Sequence, residues 1–250
     1  MEMVYTIIFF LFGLIFGSFF NVVGLRLPKG MPFANDRSAC PQCGSHLSWY
    51  ENIPLLSFIL QKGKCLHCHE RISPLYPMIE VMTGLLFMTS YLLLGLQLEL
   101  ATPLLLISML MIILVADLVY MQIPNKVLLF FLPFTILIRI LVPLDPWWSP
   151  ILGGALGLLI TSAIIIISRG GMGAGDMKLF GVLGLILGVE MLMVAFFLSC
   201  MIGAVIGFIL LAFKVVGRRQ PVPFVPYIVA GTLIAYFYGD GLMEWYFSLL

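Results

Sequence analysis

Long apolar runs separated by short polar breaks make up most of the chain. A helix needs about 20 predominantly apolar residues to cross a bilayer. The predicted spans are residues 3–24, 76–96, 102–120, 126–143, 150–168, 177–189, 191–213 and 222–239. The boundary between the sixth and seventh of these spans depends mainly on Glu190. The pattern therefore predicts an all-α polytopic membrane protein with about eight transmembrane helices.

One long polar stretch, residues 25–75, interrupts this pattern and contains all three histidines and four of the five cysteines. No basic segment precedes the first apolar run, which is therefore predicted to be a retained membrane helix rather than a signal peptide. The expected parts are a first transmembrane helix at 1–24, a cytoplasmic four-cysteine zinc-binding domain at 25–75, and a transmembrane core at 76–250.

Composition and charge support this organisation. The chain is 62% hydrophobic and only 10% charged, far from the composition of a soluble domain. Basic residues of short loops stay in the cytoplasm. If residues 25–75 are cytoplasmic, eight spans put every Lys and Arg except Arg139 on that side. We therefore expect a multi-pass cell-membrane protein in contact with the lipid bilayer. The net charge of +1 says little about partners; no nucleic-acid partner is expected, and no oligomeric state is predicted.

The cysteines of the polar stretch form two C-x-x-C pairs, "CPQC" at 40–43 and "CLHC" at 65–68. Two such turns can place four thiolates around one ion, which gives a closed, structural zinc site. The predicted ligands are Cys40, Cys43, Cys65 and Cys68. A redox pair, or replacement of one cysteine by His46, His67 or His69, remains an alternative. Cys200 lies within an apolar run and is interpreted as a small packing residue.

Two acids, Asp117 and Asp176, fall at the cytoplasmic ends of their predicted spans and therefore at one membrane level. Taken singly, Asp176 could be an acid favoured by a helix N-terminus, and Asp117 a charge that ends a span. Two carboxylates held close together share a proton, so that one acts as base and the other as acid. The pair therefore predicts aspartyl proteolysis, with Gly173 and Gly175 leaving room for a substrate backbone.

Six motifs in this order resemble those of the type IV prepilin peptidase family. They are "GSFFNVVGLRLP" (17–28), the C-x-x-C pairs, "YPMIE" (76–80), "DLVYMQIPN" (117–125), "GAGDMKL" (173–179) and "PFVPYIVAG" (223–231). The modest length and compact loop are similar to the Gram-positive competence-type members. The resemblance implies cleavage of prepilin or pseudopilin leaders by Asp117 and Asp176. It also implies N-methylation of the new N-terminal residue from S-adenosylmethionine.

A prepilin leader is basic, so acids near the site are candidates to contact it. These candidates are Glu51, Glu70 and Glu80. Glu51 and Glu70 lie in the polar stretch and are otherwise expected to be solvated charges, whereas Glu80 is expected to pair or cap. Lys178 is interpreted as an anchor at the cytoplasmic interface.

Three other interpretations remain open. The first is an intramembrane aspartyl peptidase without methyltransferase activity. The second is a proton- or cation-coupled transporter, in which paired membrane acids would be ion sites. The third is an assembly factor with a zinc loop and no chemistry, which would leave the shared level of Asp117 and Asp176 unexplained.

Overall fold

The computed structural model is helical throughout and describes residues 1–32, 38–168, 171–215, 217 and 222–248. Its helices are α1 (Glu2–Arg26), α2 (Leu56–Leu60), α3 (Leu75–Leu94), α4 (Ala101–Tyr120), α5 (Asn125–Leu141), α6 (Ser149–Ile167), α7 (Ala174–Ala212) and α8 (Val225–Ser248). Within these ranges only isolated β-bridges occur, so the predicted all-α class is confirmed. Four basic residues used in the charge argument lie outside the described residues: Arg37, Arg169, Arg218 and Arg219.

Five helical segments of the described chain are long and apolar enough to cross a membrane: α1, α3, residues 98–120, α6 and α7. The prediction of a membrane protein is confirmed, but the count of eight spans is not. Helix α7 has 39 residues. A continuous helix of that length would be about 58 Å long, roughly twice the thickness of the hydrocarbon core.

Helix α7 is two antiparallel segments joined at Gly188. This residue has φ 74° and ψ −175°, a conformation that is essentially restricted to glycine. Phe180 and Phe196 lie eight positions on either side of it, yet their ring centroids are 5.3 Å apart. In a continuous helix they would be separated by about 24 Å. The chain therefore reverses direction at Gly188, two residues before Glu190, and we name the two segments α7a (174–187) and α7b (189–212).

Side chains from α5 and α6 satisfy the backbone at this reversal. The Val189 N–H donates to the Ser149 Oγ at 3.0 Å. The Arg139 guanidinium donates to the carbonyl of Ile186, near the end of α7a, and to the carbonyl of Val142 at 3.1 Å. A cation at a helix C-terminus is favourable. Arg139, the basic residue that the charge argument left over, therefore caps α7a.

Glycines allow α6 and α7a to pack with their backbones almost in contact. A methyl group added at Gly153 would lie 2.6 Å from the Gly184 carbonyl oxygen, and one added at Gly157 would overlap the Phe180 carbonyl. Small residues at four-residue spacing are the usual means of close helix packing in lipid. This contact holds α7a, and the acid at its beginning, against α6.

By compactness the chain divides into two units, Met1–Val115 and Ala116–Leu250, with the boundary inside α4. In the first unit, α1 packs on α3 through glycine. A methyl group added at Gly13 would lie 2.6 Å from the Cα of Gly84. The predicted division at residues 24 and 75 was based on where the sequence changes from apolar to polar, not on compactness, and it stays a prediction.

Replacing Gly188 with alanine should destabilise the protein. Alanine in this backbone conformation costs about 1–3 kcal/mol, and its methyl group would lie 2.6 Å from the Ser149 Oγ. The measurement is the unfolding midpoint of the purified protein in detergent. Gly207→Ala is the matched control, because Gly207 lies in α7b with no atom near its added methyl group. Alanine there should be neutral or stabilising by up to about 1 kcal/mol. Equal midpoints for the two variants would contradict the assignment of a strained reversal.

Candidate active site and metal cluster

Asp117 lies in the last turn of α4, with 6% of its surface exposed. Its Oδ2 accepts a hydrogen bond from the Val225 N–H at 3.1 Å. Val225 is the first residue of α8, and the N–H groups of a first helical turn have no intrahelical partner. The N-terminus of α8 therefore supplies the donor that a buried carboxylate needs.

Asp176 lies in the first turn of α7a, and its Oδ2 accepts a hydrogen bond from the Gly173 N–H at 3.2 Å. An acid at the third helical position often reaches back to the residue before the helix in this way. A methyl group added at Gly173 would lie 3.1 Å from that same oxygen. Glycine at 173 thus leaves space for the carboxylate of the protein itself.

Both acids line one cavity of about 790 Å³ within the second unit. The structure therefore brings together the two residues that the sequence placed at one membrane level. Asp176 is a helix-terminal acid, as the alternative interpretation expected. That interpretation does not account for Asp117 in the same cavity, whereas two carboxylates sharing a proton would account for both.

Three polar residues of this cavity were not selected from the sequence as site residues. Gln122 and Asn125 follow α4, and Lys178 lies two positions after Asp176. The Lys178 Nζ donates to the Asn125 Oδ1 at 3.0 Å. Lys178 is exposed and also lines the cavity, and its role as an interfacial anchor stays a prediction. The signal was present in the sequence, because all three residues belong to the motifs that contain the aspartates.

Packing also explains the glycine at position 175, since a methyl group there would lie 3.0 Å from the Cβ of Ile123. Gly173 and Gly175 therefore make room for neighbouring groups of the protein. Their contact with a substrate backbone stays a prediction.

The three glutamates differ in their surroundings. Glu51 is buried, in contrast to the solvated charge that was expected; its Oε2 accepts the Ser48 N–H at 2.7 Å. Glu80 is also buried and accepts the Leu55 N–H at 2.8 Å, which fits the expected capping role. Glu70 is exposed. Contact of any of them with a leader stays a prediction.

The four cysteines of the polar stretch form a cluster in the first unit. The sulfur atoms of Cys40, Cys43, Cys65 and Cys68 all lie within 4.8 Å of one another, and those of Cys40 and Cys68 are 3.9 Å apart. Zinc–sulfur bonds of about 2.3 Å in a tetrahedron require sulfur atoms about 3.8 Å apart. The donor set therefore fits a zinc ion, and this group of described residues includes no histidine.

The two halves of the cluster repeat one backbone geometry. The first cysteine of each pair donates its N–H to the carbonyl five residues later, Cys40 to Ser45 at 3.0 Å and Cys65 to Glu70 at 2.9 Å. The fourth residue after it has positive φ in both, 70° at Gly44 and 59° at His69. Each turn directs two thiols to the shared centre.

The thiols of the cluster differ in acidity. The Ser45 hydroxyl lowers the pKa of Cys43 to about 6. The backbone N–H of Glu70 lowers the pKa of Cys68, but desolvation and the three neighbouring thiols raise it to about 12. A metal ion bound at the cluster would deprotonate the thiols that bind it.

Comparison with known proteins identifies the family of this chain. Residues 11–94 match the bacterial peptidase A24 N-terminal domain, and residues 104–208 match the type IV leader peptidase family. A Bacillus subtilis (strain 168) protein named prepilin leader peptidase/N-methyltransferase is 45% identical, over 97% of this chain and 98% of the relative. The chain belongs to the type IV leader peptidase family. Family members of the same name from Vibrio cholerae and Aeromonas salmonicida are 35% and 32% identical, over 95% and 98% of this chain and 98% and 95% of their own lengths. No solved structure matches.

The metal cluster of this family member can be tested by composition. Replacing both Cys40 and Cys43 with serine removes the two thiolates of the first C-x-x-C pair, so the purified variant should lose its metal. We expect about one zinc per chain in the unaltered protein, measured by elemental analysis. Cys200→Ser is the control, because Cys200 lies in α7b outside the cluster, and it should retain the metal. A double variant with full zinc content would show that the four-cysteine site is wrong.

Proposed function

We propose that this protein cleaves the leader peptides of type IV prepilins or pseudopilins, with Asp117 and Asp176 as the catalytic pair. The observation that carries this proposal is that the two carboxylates line one cavity of a leader peptidase family member. Each is held by a backbone N–H at the beginning of a helix. The names of the relatives supply the substrate class.

The chemistry follows from a pair that shares one proton. The ionised carboxylate takes a proton from water, and the water oxygen attacks the scissile carbonyl carbon. The protonated carboxyl donates its proton to the carbonyl oxygen, which gives a tetrahedral intermediate. Breakage of the C–N bond then transfers a proton to the leaving amine and restores one shared proton. A positioned acid and base of this kind contribute about 10²–10⁴-fold each to rate.

We propose that the site faces the cytoplasm. The support is the distribution of basic residues, since Lys126, Lys178 and Lys214 fall on the same side as the cysteine loop in the eight-span topology. A prepilin with a basic leader and an apolar membrane segment would present its scissile bond at this interface. The cytoplasmic domain at 25–75 would then meet the leader, with Glu70 as its exposed acid.

We assign zinc a structural role, held by Cys40, Cys43, Cys65 and Cys68. Bound there, the ion would hold the two C-x-x-C turns together. Four protein ligands leave no open coordination position for a substrate or water. The relatives are named N-methyltransferases, and S-adenosylmethionine would be the methyl donor for the new N-terminal amine. The described residues contain no glycine-rich strand–turn–helix of the kind that holds such nucleotides. None of the described residues is therefore proposed to hold the donor.

The transporter alternative is less well supported, because the relatives that cover nearly the whole chain are named as enzymes. The same names argue against an assembly factor without chemistry. The remaining alternative, a peptidase without methyltransferase activity, differs from the proposal only in the second reaction.

Asp117→Asn and Asp176→Asn should each lower prepilin cleavage by at least about 10²-fold, because an amide can neither take nor give the required proton. The measurement is the rate of mass loss equal to the leader when a synthetic prepilin is incubated with the purified protein. Asp240→Asn is a matched control, since Asp240 is exposed in the last helix away from the cavity. Cleavage by either site variant at the control's rate would refute the assignment of the pair.

Methyl transfer is tested on the same samples by adding S-adenosylmethionine. The mature product should then gain the mass of one methylene group, because a methyl group replaces one amine hydrogen. Asp176→Asn should show no gain, since the acceptor amine does not exist before cleavage. Cleavage without any methyl gain would instead support the peptidase-only alternative.

A further inference from the structure

The cavity that holds the aspartates has an apolar side that the cleavage chemistry does not use. It is formed by Ile164 of α6, Phe196 and Cys200 of α7b, and Phe224. We call these four residues the apolar wall. The rest of the lining combines the two acids, Gln122, Asn125 and Lys178 with further apolar residues such as Met121 and Ile123.

The reversal at Gly188 explains why the wall stands beside the acids. Asp176 precedes Gly188 by twelve residues and Cys200 follows it by twelve, so the antiparallel segments bring them to a similar level. Phe196 is fixed one turn nearer the reversal by its edge-to-face contact with Phe180, at a centroid distance of 5.3 Å. Phe224 directly precedes Val225, whose N–H holds Asp117. Apolar groups therefore flank both carboxylates.

Helix α7b, which contributes Phe196 and Cys200 to the wall, also presents an apolar surface on its outer side. Next to Phe196 and Cys200 along α7b, the side chains of Phe197, Met201 and Val205 are exposed. In a membrane protein such a surface faces lipid. An apolar segment arriving from the bilayer along α7b would thus reach the cavity on its apolar side, with its polar flank toward Gln122, Asn125 and Lys178.

We propose that the apolar wall binds the side chain of the residue that directly follows the scissile bond, and that Phe196 and Cys200 set its size. The inference rests on the proposed function, in which the membrane segment of the substrate begins after that bond. A cavity of about 790 Å³ lies within the usual range of about 300–1,000 Å³ for ligand sites. It has space for a large side chain beside a bound backbone.

The test compares two synthetic prepilins that differ only in the residue after the scissile bond, one with phenylalanine and one with alanine. The proteins compared are the unaltered full chain, Cys200→Trp, Phe196→Ala and the control Gly207→Ala. Tryptophan at 200 narrows the site, so kcat/KM for the phenylalanine substrate should fall by about tenfold more than for the alanine substrate, mainly through KM. Phe196→Ala should remove a contact surface and reduce the preference for phenylalanine. Gly207→Ala, which lies in α7b outside the cavity lining, should stay within about threefold of the unaltered protein for both substrates.

The outcomes separate the inference from the proposed function. If the unaltered protein cleaves neither substrate, the proposed function fails. If it cleaves them but the phenylalanine-to-alanine ratio is the same in Cys200→Trp and Phe196→Ala as in the unaltered chain, the apolar wall is not the subsite. Folding of each variant is checked by its zinc content and unfolding midpoint, and a misfolded Cys200→Trp leaves Phe196→Ala to decide. An equal loss on both substrates would show a general structural effect and would also overturn the inference.

Discussion

A carboxylate at membrane depth needs hydrogen-bond donors, because the low dielectric around it disfavours its charge. In this protein the unpaired N–H groups at helix beginnings meet that need. Val225, at the start of α8, holds Asp117, and Gly173, just before α7a, holds Asp176. The positions of the two proposed catalytic acids therefore depend on where two helices begin. This gives the residues around those starts, including the glycine at 173, a direct part in shaping the site.

The position of α7a is determined in turn by the close contact of its backbone with that of α6. Gly153 and Gly184 let α6 and α7a approach until a single methyl group would collide. At the other end, Gly188 turns the chain back, with Ser149 and Arg139 satisfying the freed backbone groups. Irregular backbone at membrane depth is tolerated only where protein groups satisfy it. Close packing along one side and a capped reversal at the end together define where Asp176 stands.

Much of the site could be predicted from residue types and spacing. Two C-x-x-C pairs indicate a four-sulfur cluster by their chemistry alone, and two acids at matched ends of apolar runs indicate a shared level. The remainder depends on tertiary contact. The S-x-x-E spacing of Ser48 and Glu51 indicates a capping turn, but it does not show that the Glu51 side chain is buried. Likewise, Glu190 suggested a boundary by its charge, but the reversal lies at Gly188, where only backbone conformation decides it. The expected interfacial position of Lys178 rests on its charge alone. Its hydrogen bond to Asn125 could not be predicted in the same way, because Asn125 lies 53 positions earlier in the chain.

The shortness of α7a has a consequence for the surrounding lipid. Residues 174–187 form a helical segment about 21 Å long, against a hydrocarbon core of about 30 Å. If α7a crosses the bilayer by itself, local thinning of the bilayer is one way to accommodate a segment this short. Water would then reach Asp176 without crossing the full hydrocarbon layer, and a substrate helix would end at the same reduced depth. On this view the enzyme shapes the membrane beside its own site, and the thickness of the host bilayer becomes a determinant of turnover.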